Sequence, residues 1–387
     1  MRGYAALSVV FYHCWLLAAS ELGPTVLREG LLQVPRHAVA LKVALSLLNG
    51  EVAVSVFFLI SGIVLFRSLA GLHRDGLPNA AGATAWRFLL RRAVRIWPVM
   101  AVCVVIQSVA FWAFDLCWPH VVPTYTFDEL GTNLALLAFP VNGATWTLAV
   151  ELAGAPVLLL AFFATRRWGW AAVAGFLALA AVPFKYGGVL FHSTGLIAGL
   201  PYLLLGAGIE CDWLGPVRRS RAWPVLAGLA GPLLLADVLL VPFGFFKMRS
   251  VLMMLSLTVL VGSVQGMRAG VLLRMLQAPL SQHLGRISFS LYLWNVPIFT
   301  LLFGLVGYDL VREHVLASGL LLGTLTVLLT LPVAEVSERW LERPCIRLGR
   351  ALTGRGGAPR EPASAARPEA GKLVARGQPA ARAGTGT

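Results

Sequence analysis

Ten apolar stretches dominate what this chain can fold into. They lie at 4–20, 52–69, 97–116, 144–164, 168–184, 188–209, 223–242, 250–267, 287–306 and 315–335. Each is about the length needed to cross a hydrocarbon core roughly 30 Å thick as a helix. Backbone N–H and C=O groups in hydrocarbon must be satisfied within the protein, so runs of this kind are helices. Composition agrees: 58% of residues are hydrophobic, 13% are charged, and the mean hydropathy is +0.76. The expected fold is therefore an all-α polytopic integral membrane protein with ten transmembrane helices. The first stretch fits a cleaved signal peptide poorly. Arg2 alone makes a weak basic region, and Tyr12, His13 and Cys14 interrupt the apolar run.

Basic residues set the expected orientation. With the amino terminus inside, only Arg28, Arg36, Lys42, Lys185, Lys247, Arg249 and Arg312 of the 32 Lys and Arg fall outside. Both termini are then cytoplasmic. The net charge of +14 follows from this asymmetry and from a basic tail facing anionic lipid. No groove-reading or base-stacking motif accompanies the charge, so nucleic acid is not the expected partner. The five cysteines are scattered without metal-ligand spacing, and no metal is expected. The expected domains are a membrane unit over 1–348 and a disordered tail over 349–387, where large apolar residues become scarce.

Titratable side chains at membrane depth are costly and point to function. His13 lies about 16 Å in from the cytoplasmic end of its stretch, Glu151 about 10 Å below the outer surface, and Asn295 about 12 Å up from the inner end of its helix. Their depths are compatible, which makes His13 and Glu151 the leading candidates. Asn295 reads equally as an amide tying two helices together. In WRFLLRRAVRIWP, Arg87, Arg91 and Arg95 share a helix face at i, i+4 spacing with Arg92 beside them. Such forks suit phosphate oxygens, although ordinary cytoplasmic charge explains the same cluster. Ser61–Gly62 reads as close helix packing, and AEVSERWLERPCIRLGR as an interfacial helix laced by i, i+4 ion pairs.

RGYAALSVVFYH, FFLISGIVLF, RRAVRIWP, TWTLAVE, GRISFSLYLWNVPI and ERP occur in this order. That series resembles acyltransferase family 3, the membrane-bound acyl-CoA-dependent O-acyltransferases, from residue 2 to about 347. The resemblance implies an acyl-CoA donor, acetyl-CoA above all, arriving from the cytoplasm, and transfer to a hydroxyl, commonly of a sugar. It implies that His13 is the essential histidine and that Glu151 is the family's acidic residue after the TWTL segment, where a carboxylate could orient or charge-stabilise the imidazole. Arg91, Arg92 and Arg95 become the donor-binding arginines, and Arg2, Ser61, Trp146 and Asn295 bind substrate or support the site. Asn295 stands where the family usually has histidine. The expected activity is transfer of an acetyl or other short acyl group to a carbohydrate or cell-envelope glycan at the inner or plasma membrane. A cytoplasmic metabolite such as a macrolide is the alternative acceptor. A proton-coupled transporter would need inverted repeats, which the sequence lacks, and an inactive envelope scaffold is the remaining rival.

Overall fold

A computed structural model describes residues 1–19, 22–74, 81–186, 194–241, 250–267 and 269–354. Among these, every regular element is helical. A helix lies over each of the ten apolar stretches: α1 Arg2–Ala18, α2 Gly50–Arg74, α3 Ala81–Cys117, α4 Trp146–Trp168, α5 Trp170–Tyr186, α6 Thr194–Glu210, α7 Trp223–Leu240, α8 Val251–Gly266, α9 Pro279–Val306 and α10 Val315–Ser337. A π-helical turn, Glu338–Glu342, joins α10 to α11, Arg343–Leu352.

Ten helices are not ten proven crossings. Among the described residues, six spans are long and apolar enough to cross alone: 36–73, 81–117, 143–168, 223–240, 279–306 and 315–352. A bent pair formed by α8 and the short helix Val271–Gln277 makes a seventh if counted as one span. α1 has 17 residues, about 26 Å of helix, a little short of a full core. The molecule is thus a multi-pass helical membrane protein. The helix Arg343–Leu352 runs through the domain boundary expected at 348, and residues 355–387 lie outside the described ones.

Small residues decide how closely the inner helices approach. A Cβ on Gly62 would stand 2.1 Å from the Leu203 carbonyl oxygen, and one on Gly206 would stand 2.1 Å from that of Leu59. Backbone against backbone is the packing that membrane helices achieve with small residues at the seam. The expected packing role of Ser61–Gly62 therefore falls to Gly62. Its neighbour Ser61 is turned the other way, toward α4.

Short elements fix the start of α4. The helix Phe127–Leu134 opens with a capping box in which Thr126 Oγ1 accepts from Glu129 N at 3.2 Å and Thr126 N donates to Glu129 Oε2 at 2.8 Å. Those bonds hold the Glu129 carboxyl below the usual range. At the other end of this helix, the buried Asn133 Nδ2 donates to Thr145 Oγ1 at 2.9 Å, while its Oδ1 accepts from the Val141 and Asn142 amides. Asn142 in turn donates to Gln107 Oε1 and to the Leu293 carbonyl, each at 3.1 Å, and caps the turn Gly143–Thr145 through the Ala144 amide. The helix Phe127–Leu134, α3 and α9 are so tied to Asn142 and Thr145, which flank the turn leading into α4.

The acidic segment after α10 is wired differently from the local lacing expected of it. Arg343 Nε donates to Glu338 Oε1 at 2.7 Å within the segment, but the other pairs cross between helices. Arg286 of α9 reaches Glu335 at 3.1 Å and Glu338 at 3.4 Å, and Arg95 of α3 reaches Glu342 at 3.1 Å. The π-turn explains the change. An extra residue per turn rotates Glu338 and Glu342 inward, and both are buried.

Candidate functional site

Glu151 is set near the start of α4, just past the anchored Asn142–Thr145 turn. Its carboxylate is buried and receives two donors from two other helices. Ser61 Oγ of α2 donates to Oε1 at 2.5 Å, and Arg92 Nη2 of α3 donates to Oε2. Arg92 and Glu151 are each 8% exposed. A charged pair at this depth persists only when matched and hydrogen-bonded, because removing either charge from water is expensive. Arg2 stands over the pair. Its guanidinium carbon lies 5.7 Å from the centre of the Phe57 ring, and its charge acts on both Glu151 and Glu342. Its Nε is buried and has no hydrogen-bond partner. A small cavity of about 30 Å³, lined by Arg2, Phe57, Thr147, Glu151 and Tyr292 among others, lies beside the pair.

His13 belongs to a second tier of the same wall. It follows Arg2 by eleven positions, just over three whole turns, so both side chains leave α1 on one face about 16 Å apart along its axis. The His13 ring packs against Phe299 of α9 at 6.0 Å and edge-on to Tyr12 at 5.9 Å, and its Nδ1 is buried without a hydrogen-bond partner. The structure therefore does not bring His13 and Glu151 together. The depth agreement fails because Glu151 is drawn to the Arg2 end of α1 by its cationic partners.

The remaining expected residues divide in the same way. Arg91 donates from Nε to Thr353 Oγ1 at 2.7 Å and from Nη2 to the Gly354 carbonyl at 3.3 Å, so it straps the end of α11. Arg92 belongs to Glu151 and Arg95 to Glu342. The three arginines do not act on one face, since each meets a different neighbour. Trp146 packs edge-on against Phe58 at 5.9 Å and so braces α4 on α2. Asn295 is fully buried, but its Nδ2 donates to the Leu291 and Tyr292 carbonyls of its own helix at 3.1 and 2.7 Å, and its Oδ1 is unpartnered. Among the described residues it ties no second helix.

Asn142, Asn133 and Gln107 support the site and were not singled out from the sequence. Asn142 carried a legible signal, a capping residue in NGAT just ahead of an apolar run. Glu342 was read within the acidic segment and the ERP motif, but its burial was not legible, because the π-turn has no local signature.

Comparison with known proteins settles the class of chemistry. The sequence model of an acyltransferase domain, that of acyltransferase family 3, matches residues 1–335. The chain belongs to acyltransferase family 3. The protein is thus a multi-pass membrane enzyme that transfers acyl groups. Among curated proteins, Acyltransferase MdmB of Streptomyces mycarofaciens is 28% identical over 336 residues, which covers 77% of this chain and 81% of that one. No solved structure matches. Among the described residues of the acyltransferase, no group of three His, Cys, Asp or Glu is arranged to hold a metal ion.

Proposed function

We propose that the acyltransferase moves an acetyl or other short acyl group from acyl-CoA to a hydroxyl of a carbohydrate, with His13 as general base. The observation that carries this reading is the His13 ring, held by aromatic neighbours at membrane depth with Nδ1 left unpartnered. An imidazole in that state is free to accept a proton from an acceptor hydroxyl. The hydroxyl oxygen attacks the thioester carbonyl carbon as its proton passes to His13. The carbon–sulfur bond then breaks, and the departing thiolate takes that proton from the imidazolium to leave as coenzyme A.

Glu151 acts through its partners in this scheme. Held by Ser61 and Arg92, its carboxylate fixes Arg2 in place, and Arg2 and Arg95 face the donor's phosphates. Arg95 keeps 32% side-chain exposure, whereas Arg92 is enclosed, so Arg92 is a positioning residue. The membrane is the cytoplasmic or plasma membrane, with the donor on the inner side by the placement of basic residues. The acceptor is a cell-envelope glycan or a glycosylated small molecule.

The test is transfer of radiolabel from acyl-CoA by purified enzyme reconstituted in vesicles, with envelope glycan and soluble glycosides as separate acceptors. Labelled glycan or glycoside in the wild type supports the reading. Label that stays on acyl-CoA with every hydroxyl acceptor overturns it.

A further inference from the structure

The segment that follows α10 forms a charged cleft that the acyl-transfer scheme does not use. Val315–Ser337 has 23 residues, about 35 Å of helix, so it covers a hydrocarbon core of roughly 30 Å and delivers what comes next to headgroup level. What comes next is the π-turn Glu338–Glu342 and α11. One face of this pair is docked. Glu338 and Glu342 are buried, Thr353 is strapped by Arg91, and a Cβ on Gly349 would stand 3.5 Å from the Arg91 Cα. The outward side carries Arg339 from the turn and Arg343, Arg347 and Arg350 from α11, the last three sharing a face at i, i+4, i+7 spacing. With Trp340 and Ile346, these four arginines line a cleft of about 490 Å³. Among the described residues, no Asp or Glu lines it.

Two observations say what the cleft would take. The first is charge left without a partner: Arg343 Nε donates to Glu338, but the side chains of Arg339, Arg347 and Arg350 make no hydrogen bond or ion pair among the described residues. Guanidinium forks in that state suit phosphate oxygens. The second is the apolar surface beside them. Trp340 is 69% exposed, and Leu348 and Leu352 stand exposed on the flank of α11 next to the arginines. A soluble phosphate gives the indole and the leucines nothing to cover, whereas a lipid supplies both the anion and the chains.

We propose that this cleft binds the headgroup phosphate of an anionic phospholipid, with Leu348 and Leu352 lying against its acyl chains. A phosphate shared by Arg339 of the turn and Arg347 of α11 clamps the π-turn from outside. Arg95 and Arg286 clamp the same turn from inside through Glu342 and Glu338.

Lipid binding to the full chain in non-ionic detergent, counted by native mass spectrometry, tests the site independently of acyl transfer. Phosphatidylglycerol should bind at least about tenfold more tightly than phosphatidylcholine. The triple variant Arg339→Gln, Arg347→Gln, Arg350→Gln should raise the Kd for phosphatidylglycerol at least about tenfold. Exposed Arg166, Arg167 and Arg274 supply the control, since changing all three to Gln removes the same charge and should leave that Kd within about twofold of the wild type. Phosphatidylglycerol should also raise the unfolding midpoint of the wild type but not that of the cleft variant. If the triple variant unfolds early without lipid, Arg347→Glu alone, at an exposed position, should weaken phosphatidylglycerol at least about fivefold. Equal binding of the two lipids, an unchanged Kd in the cleft variants, or an equal loss in the control overturns the proposal. Displacement of the bound lipid by inorganic phosphate or by coenzyme A also overturns it, and gives the cleft to a soluble phosphate compound instead.

Discussion

Removing Arg92 isolates what the buried pair contributes. Arg92→Met keeps most of the side-chain volume but leaves the Glu151 carboxylate, 8% exposed, with Ser61 as its one remaining hydrogen-bond donor in the structure. Stripping one partner from a buried ion pair costs about 3–5 kcal/mol, since the other charge stays desolvated and uncompensated. Glu151→Leu alone strands Arg92 in the same way and should cost a similar amount. In the double variant neither charge remains, and replacing a whole buried pair by apolar groups is often close to neutral. The two single losses would sum to about 6–10 kcal/mol if independent, so a double variant within about 2 kcal/mol of the wild type gives a coupling of at least about 4 kcal/mol. The assay is equilibrium unfolding in mixed micelles, read by a dye that reacts with the fully buried Cys14 and Cys103 thiols as they become accessible. Losses that add across the cycle would refute the argument. Low acyl transfer is expected in Glu151→Leu and in the double variant, because Arg2 loses the Glu151 carboxylate.

Three further outcomes follow from the same contacts. Ser61→Ala removes a hydrogen bond to a charged group and should cost about 1.5–3 kcal/mol by the same unfolding assay, with a smaller loss when Glu151 is already Leu. Arg91→Lys should leave the KM for acyl-CoA near the wild-type value while speeding proteolysis near 350, since its fork holds Thr353 and Gly354 instead of donor. A tenfold rise in KM would return Arg91 to the donor site. Asn142→Ala leaves buried amide partners unsatisfied and should cost about 1–3 kcal/mol, with kcat falling as the start of α4 loosens. An unchanged melting curve would remove Asn142 from the scaffold.

What the sequence could disclose follows from which forces are local. Hydrophobic runs report the solvent around a segment, so a helix stands on each of the ten apolar stretches. Runs do not report tilt or neighbours, and α1 and α8 show that an apolar stretch need not make a full crossing by itself. Glu151 was legible because a carboxylate in an apolar helix demands a partner. Which partner was not legible, since Ser61 and Arg92 meet it only through the crossing of α2, α3 and α4. The i, i+4 rule put Arg87, Arg91 and Arg95 on one face, but it cannot say what that face meets. α11 took Arg91, the π-turn took Arg95, and Arg92, one residue round the helix from Arg91, was turned inward to α4. His13 was legible as an isolated imidazole in an apolar run, and the same isolation leaves its Nδ1 unpartnered in the fold.

The most direct measurement of the central claim is single-turnover transfer by His13→Gln enzyme beside the wild type, with acyl-CoA binding measured on the same preparation. The substitution keeps a polar side chain of similar reach and removes the titrating base. If His13 takes the acceptor proton, the variant should bind acyl-CoA with an unchanged Kd and transfer at least about 100-fold more slowly, the low end of what general-base catalysis contributes. Transfer within a few-fold of the wild type by correctly folded His13→Gln enzyme would contradict the account.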